Sequence, residues 1–212
     1  MKQKKDLIDV VFILDRSGSM QGTEKDTIGG YNGYIKDFKN KNAKITTILF
    51  DDKYEFITKR EDVNKVPLLT KKKYFVRGCT ALLDTIGHAI KYIEEEKANK
   101  VIFIITTDGY ENASIKYNKE QIREMIQGHK EWEFIYIGAD IDSYSEGQSI
   151  GIETRNIANY KKSKKGMAKL FNAILKVSDL YCDEACIDSS WKEDLENTND
   201  KEEHDIYDDI KW

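Results

Sequence analysis

The chain has 212 residues, of which 40% are hydrophobic and 34% charged, with a single proline; this balance excludes a disordered chain and a proline-rich linker. The length is enough for one well-buried domain and an appendage of about thirty residues. The first apolar run, residues 10–14, is too short for a signal peptide or a membrane span, and the three cysteines suggest no disulfide framework. We therefore expect a cytoplasmic protein that does not associate with membranes.

Four continuous apolar segments predict buried strands, and each ends at or near a carboxylate. They cover residues 10–14, 45–50, 101–107 and 132–139. Helical spacing of apolar residues recurs between and after them, at residues 28–38, 82–93, 122–126 and 167–175. Alternating charges over residues 53–60 predict an antiparallel edge strand, and a weaker strand is expected near 154–157. The predicted fold is α/β, a doubly wound, mostly parallel, Rossmann-like sheet with one antiparallel edge strand and helices on both faces.

Charge divides the chain into two predicted parts. Residues 179–212 carry 13 acidic side chains and 3 lysines, a balance of −10, whereas residues 1–178 carry 31 basic and 25 acidic side chains, a balance of +6. We predict one folded domain over residues 1–178 and an acidic amphipathic tail over residues 179–212.

Polar side chains gather where the predicted strands end. Asp15, Ser17 and Ser19 follow the first strand, Asp108 follows the third, and Thr80 lies in a glycine-containing loop before a helix. Ligands of open α/β sheets bind beyond the carboxyl ends of the strands, where the strand order reverses. Carboxylate and hydroxyl oxygens suit a hard divalent cation, so the set predicts a Mg²⁺ or Mn²⁺ site with two negative charges.

These residues resemble a known motif. The pattern Asp15-x-Ser17-x-Ser19, then Thr80, then Thr107-Asp108-Gly109 is similar to the metal-ion-dependent adhesion site (MIDAS) of von Willebrand factor type A (VWA) domains. The resemblance covers roughly residues 6–178, and the segments RGCTALLD and ITTDGYENAS look most like intracellular bacterial or phage members.

The resemblance implies a role for each position. Ser17, Ser19 and Thr80 match the hydroxyl ligands, and Asp15 and Asp108 match the carboxylates that bind the ion directly or through water. An acidic residue of a partner protein often completes the coordination in that family. The implied function is a Mg²⁺-dependent module that binds an Asp or Glu carboxylate on a protein partner, and not an enzyme.

Other roles remain open for several of these residues. Ser17 and Ser19 are also favoured helix caps, and Asp84 is expected to stabilise the first turn of a helix. Arg16 could lean over the site and contact a partner. The other carboxylates at this edge are expected to belong to turns: Asp51, Asp52, Asp140 and Asp142.

Two other functional classes compete with a binding module. Phosphatases of the haloacid dehalogenase type also place an aspartate after the first strand, but they need a second aspartate where this chain has Ser17. A metal-dependent hydrolase at the same edge is the alternative function. Lysine runs at 71–73 and 161–165 could bind nucleic acid, but they are short, so solvated surfaces and no nucleic-acid partner are expected.

The end of the chain combines carboxylates with large apolar side chains. Asp205, Asp208, Asp209 and Trp212 are candidate partner-binding or regulatory residues. Three uses remain open: docking on the basic body, binding a partner, and plain disorder.

Overall fold

A six-stranded sheet forms the centre of residues 6–197, the part of the chain that this computed structural model describes. The strands are β1 (Ile8–Asp15), β2 (Ala43–Phe50), β3 (Tyr54–Asp62), β4 (Val101–Thr107), β5 (Glu133–Gly138) and β6 (Ile157–Asn159). Their order is β3-β2-β1-β4-β5-β6; β3 pairs antiparallel with β2, and the other pairings are parallel. The predicted fold class is confirmed, and the weak strand expected near residues 154–157 begins at Ile157.

Both faces of the sheet are covered, which explains the continuous apolar runs. All eight residues of β1 are buried. Phe12 and Leu14 belong to one apolar cluster and Val11 and Ile13 to the other, as alternation along a strand requires.

Six α-helices surround the sheet in the described part of the chain. They are α1 (Glu24–Asp37), α2 (Leu82–Glu95), α3 (Lys119–Gly128), α4 (Ser143–Ser149), α5 (Lys164–Cys182) and α6 (Glu193–Glu196). Buried residues of α1 and α5 join the cluster of Phe12, and those of α2 and α3 join the cluster of Ile13. Gly30 allows α1 to approach α5, because a methyl group there would lie 2.0 Å from the ring of Phe171.

The chain beyond residue 178 continues the domain. The predicted boundary falls inside α5, which runs to Cys182, and Ile187, Trp191 and Leu195 are buried in the same cluster as α5. The Trp191 indole N–H also donates to the carbonyl of Arg155 at 2.9 Å. Because these three side chains are buried, residues 179–197 pack on the body, although their acidic composition did not indicate it. The tail candidates Asp205, Asp208, Asp209 and Trp212 lie outside the described residues.

No helix within residues 6–197 has the length and apolarity needed to cross a membrane.

Candidate metal site

The candidate site lies where the order of the strands reverses. Successive strands β1, β2 and β3 extend the sheet in one direction, and β4 then pairs with the opposite edge of β1. Leu14 of β1 lies opposite Thr106 of β4, so the carboxyl ends of the two strands are neighbours. Asp15 is the last residue of β1 and Asp108 directly follows β4, so both lie at the position where open α/β sheets bind ligands.

Asp15 is held rigidly at the end of β1. It is fully buried; its Oδ1 accepts a hydrogen bond from the backbone N–H of Ser17 at 2.6 Å, and its Oδ2 accepts one from the Thr107 hydroxyl at 2.6 Å. Burial raises the pKa of Asp15 to about 6, although the hydrogen bonds from Thr107 and Ser17 act in the opposite direction. A bound cation would supply the counter-charge that this desolvated carboxylate lacks.

Two serine hydroxyls connect the first loop to Asp108. The Oγ atoms of Ser17 and Ser19 are 3.0 Å apart, and the Ser19 hydroxyl donates to Oδ1 of Asp108 at 2.5 Å. Ser17 precedes a short 3₁₀ helix, but its side chain makes no capping hydrogen bond. The other oxygen of Asp108, Oδ2, is buried and accepts no aligned hydrogen bond, but the ammonium of Lys162 lies 2.8 Å from it. Such an atom favours a cation in its vicinity.

Thr80 reaches the same place from a third loop. The carbonyl of Gly78 accepts a hydrogen bond from the backbone N–H of Gly18 at 3.1 Å, which ties the two loops together. A methyl group built on Gly109 would lie 2.9 Å from Oγ1 of Thr80 and 3.2 Å from Oγ of Ser19. The structure thus brings all five predicted residues together, with Gly109 leaving a small space beside two of the hydroxyls.

A buried ion-pair network supports these loops. The Nε atoms of Arg16 and Arg77 each lie 2.8 Å from Oδ2 of Asp51, and the Nη1 of Arg16 lies 2.9 Å from the Glu55 carboxylate. Arg16 is only 1% exposed and its guanidinium pairs with Asp51 and Glu55, so it does not lean over the site, which was one possibility that the sequence left open. Asp51 does accept the turn N–H of Lys53, as expected of a turn residue, but its role in fixing the loops was missed.

A second set of contacts holds the loop after β4. Asp84 was expected to stabilise the first turn of its own helix. Its carboxylate accepts hydrogen bonds from the backbone N–H groups of residues 115, 116 and 117 at 2.8–3.0 Å. In return, Glu111 accepts from the N–H of Leu83, and Ser114 accepts from the N–H of Asp84. These two donors are unpaired amides of the first turn of α2, so loop and helix stabilise each other.

Lys162 is a site residue that sequence reasoning missed. Its ammonium lies 2.8 Å from Oδ2 of Asp108 and also donates to the backbone carbonyl of Ser19. The lysine run was expected to be solvated surface, the usual location of such residues. The sequence did carry one indication of this role: Lys162 follows β6, and the carboxyl end of β6 lies at the edge of the sheet that carries the other site residues.

The donor set consists of oxygen atoms from hydroxyls and two carboxylates. Within residues 6–197, no group of three or more His, Cys, Asp or Glu side chains is arranged to hold a metal. The set therefore differs from the nitrogen- and sulfur-rich sites of structural zinc, and it fits a hard cation that keeps some of its water ligands.

No family model matches this sequence, and neither does any curated protein. Solved structures do resemble it, and they define its fold as VWA-like. A von Willebrand factor type A structure from Catenulispora acidiphila has a TM-score of 0.58 and 14% identity, over 84% of this chain and 43% of that one. The PilB minor pilin from Streptococcus sanguinis has a TM-score of 0.62 and 13% identity, over 86% and 63%.

A matrix protein provides a further match. Proximal thread matrix protein 1 from the mussel byssus has a TM-score of 0.62 and 18% identity, over 84% of this chain and 47% of that one. A second structure of the same protein, described as having a zinc-occupied MIDAS motif, has a TM-score of 0.62 and 16% identity, over 82% and 46%. This chain spans about half the length of the mussel protein. At these identities the likeness establishes the fold alone.

Proposed function

We propose that the protein is a divalent-metal-dependent binding module that recognises an Asp or Glu carboxylate on a protein partner. Asp15, Ser17, Ser19, Thr80 and Asp108 would hold the ion, with Mg²⁺ or Mn²⁺ as the expected occupant. One observation carries the proposal: hydroxyls and carboxylates from three loops converge at the switch point of the sheet, and the buried Asp108 carboxylate among them already lies beside a cation, the ammonium of Lys162.

The charges of the site favour an external acidic ligand. Asp15 and Asp108 together bring two negative charges, and the three hydroxyls are neutral, so a bound divalent ion would supply a positive centre for an outside carboxylate. Ser19 is exposed, which leaves the site open to solvent on that side. The zinc-occupied MIDAS motif of the mussel protein supports metal binding by this fold, while the oxygen donors favour Mg²⁺ or Mn²⁺ over zinc here.

A non-catalytic role is part of the proposal. Hydrolysis at this edge would need a general base; the proposal assigns both carboxylates of the site to the ion, and the two histidines in the described part of the chain are engaged elsewhere. His88 contacts Tyr54, Lys116 and Tyr117, and His129 stacks on Trp132. A cytoplasmic location is also proposed, since no disulfide joins the three cysteines.

Thermal unfolding with and without Mg²⁺ tests the metal site. A ligand that binds only the folded protein stabilises it by about 2.7 kcal/mol at a hundredfold excess over its Kd. We expect this stabilisation in the unchanged protein and its loss in Asp15→Asn and Asp108→Asn. Glu120→Gln is the matched control, because Glu120 is an exposed carboxylate on α3 and should leave the response intact. A melting temperature of the unchanged protein that millimolar Mg²⁺ and Mn²⁺ leave unmoved would refute metal binding.

Capture experiments test the partner. Immobilised protein should retain a partner in Mg²⁺ and release it on addition of a chelator, whereas the Asp15→Asn variant should retain none. Replacing the acidic residues of the captured protein one at a time should identify a single carboxylate on which retention depends. Retention that is equal in Mg²⁺ and in chelator would contradict the proposal.

A further inference from the structure

We propose that Lys162 acts as a tethered cation that competes with the divalent ion for the Asp108 carboxylate and so lowers the metal affinity of the site. This inference rests on the proposed function, because it concerns the regulation of the same site. It assigns a role to a side chain outside the five predicted metal-binding residues.

The position of the ammonium group carries the inference. The Nζ of Lys162 lies 2.8 Å from Oδ2 of Asp108, whose side chain is fully buried, while the lysine side chain is 24% exposed. The same ammonium donates to the carbonyl of Ser19, a residue of the site. The lysine therefore reaches from the solvent edge to a carboxylate that water cannot reach.

The two oxygens of Asp108 are both engaged. Oδ1 accepts the hydroxyl of Ser19 at 2.5 Å, and Oδ2 faces the ammonium of Lys162. A divalent ion that draws on Asp108 and the Ser19 hydroxyl must either displace the ammonium or tolerate a positive charge next to it. In both cases the lysine opposes binding, because it reduces the charge offered by the site from −2 to −1.

The backbone fixes Lys162 in place while its side chain can withdraw. Tyr160 donates its N–H to Gly138 of β5 at 2.9 Å, and the Ser163 hydroxyl accepts the N–H of Gly166 at the start of α5. Lys162 thus occupies a short connection anchored at both ends. Its four-carbon stem can rotate the ammonium into solvent when a stronger cation arrives, which is a reversible form of competition.

Neighbouring lysines provide a matched control. Lys161 lies one residue before Lys162 and carries the same charge, but its side chain is exposed and no ion pair between it and the site appears in the structure. The variants to compare are Lys162→Gln, Lys162→Arg and Lys161→Gln, each in the full chain. Circular dichroism in chelator confirms that each one is folded before metal is added.

Mg²⁺ affinity is measured by calorimetric titration and by the melting temperature as a function of Mg²⁺ concentration. Removing one positive charge beside the ion is expected to lower the Kd of Lys162→Gln by about tenfold, given the partial solvent screening at this edge. Lys162→Arg and Lys161→Gln should stay within about twofold of the unchanged protein.

Other outcomes overturn the inference in distinguishable ways. Equal Kd values for Lys162→Gln and the unchanged protein would reject the competing role and leave the proposed function intact. Weaker binding by Lys162→Gln would show that the lysine assists the site by orienting Asp108. Absence of Mg²⁺ and Mn²⁺ binding in every variant would overturn both the inference and the proposed function.

Discussion

Gly109→Ala should damage the metal site while leaving the fold nearly intact. The added methyl group would lie 2.9 Å from Oγ1 of Thr80 and 3.2 Å from Oγ of Ser19, whereas ordinary contacts begin near 3.4 Å. The Thr80 hydroxyl must therefore move by about 0.5 Å and the Ser19 hydroxyl by about 0.2 Å. Mg²⁺ demands near-ideal octahedral geometry with oxygen ligands at about 2.0–2.1 Å, so such a shift should weaken its binding by about tenfold to a hundredfold.

The cost to folding should be small by comparison. The crowded atoms are ends of side chains and not backbone, and Gly109 does not adopt a left-handed conformation, so we expect about 1 kcal/mol of destabilisation, the lower end of what overpacking costs. Mg²⁺ titration and urea unfolding in chelator measure the two effects separately. Gly33→Ala is the control, since nothing lies within 4 Å of its added methyl group and alanine favours the helix by about 0.5–1 kcal/mol. A Gly109→Ala protein that binds Mg²⁺ as tightly as the unchanged one would refute the claim that metal binding needs the space beside the hydroxyls of Thr80 and Ser19.

Three further perturbations test the support of the site and the end of the chain. Asp51→Asn should destabilise the protein by about 3 kcal/mol in urea unfolding, because it leaves the buried Arg16 with fewer anionic partners; a loss below 1 kcal/mol would contradict this. Burial alone would raise the pKa of Asp84, but hydrogen bonds from backbone N–H groups outweigh burial and lower that pKa. The ionised carboxylate should therefore stabilise the fold fully above about pH 4 and lose this effect as the pH falls further. The free energies of unfolding of the unchanged protein and of Asp84→Asn should consequently converge in acid. A chain that ends at Asn197 lacks residues 198–212, which carry the acidic end of the sequence. If these residues compete with the partner for the site, the shortened chain should retain the partner more tightly in Mg²⁺, most of all at low salt. Equal retention at every salt concentration would exclude competition.

The sheet was predictable because burial on both faces leaves a strong signal. Residues 101–107 contain no charged side chain and begin with five apolar ones, as expected of a strand covered on both faces. The grouping of Asp15 with Asp108 followed from topology, since parallel strands that are neighbours at a switch point end side by side. Local pattern and general topology were therefore sufficient for these parts of the site.

The support of the site was not predictable from local pattern. Asp51 and Arg16 are 35 positions apart, and nothing in their flanking residues distinguishes a buried ion pair from two solvated charges. Lys162 lies 54 positions after Asp108 in a run of lysines, where solvation is the usual outcome. Trp191 was hidden in the same way by acidic neighbours. Such contacts depend on tertiary geometry, which decides which member of a charged run faces inward.

The supporting contacts also bear on how metal binding relates to folding. Asp51 fixes the loops that carry Ser17 and Thr80, and Asp84 fixes the loop that follows Asp108, through contacts within the protein. We therefore expect the domain to fold in chelator, unlike small domains that fold only when they bind zinc. Under the proposed function, the ion would then be free to exchange, and Lys162 would influence how often the site is loaded without affecting whether the domain is folded. The affinity of the proposed contact with a partner would therefore follow the occupancy of the ion and not the stability of the domain.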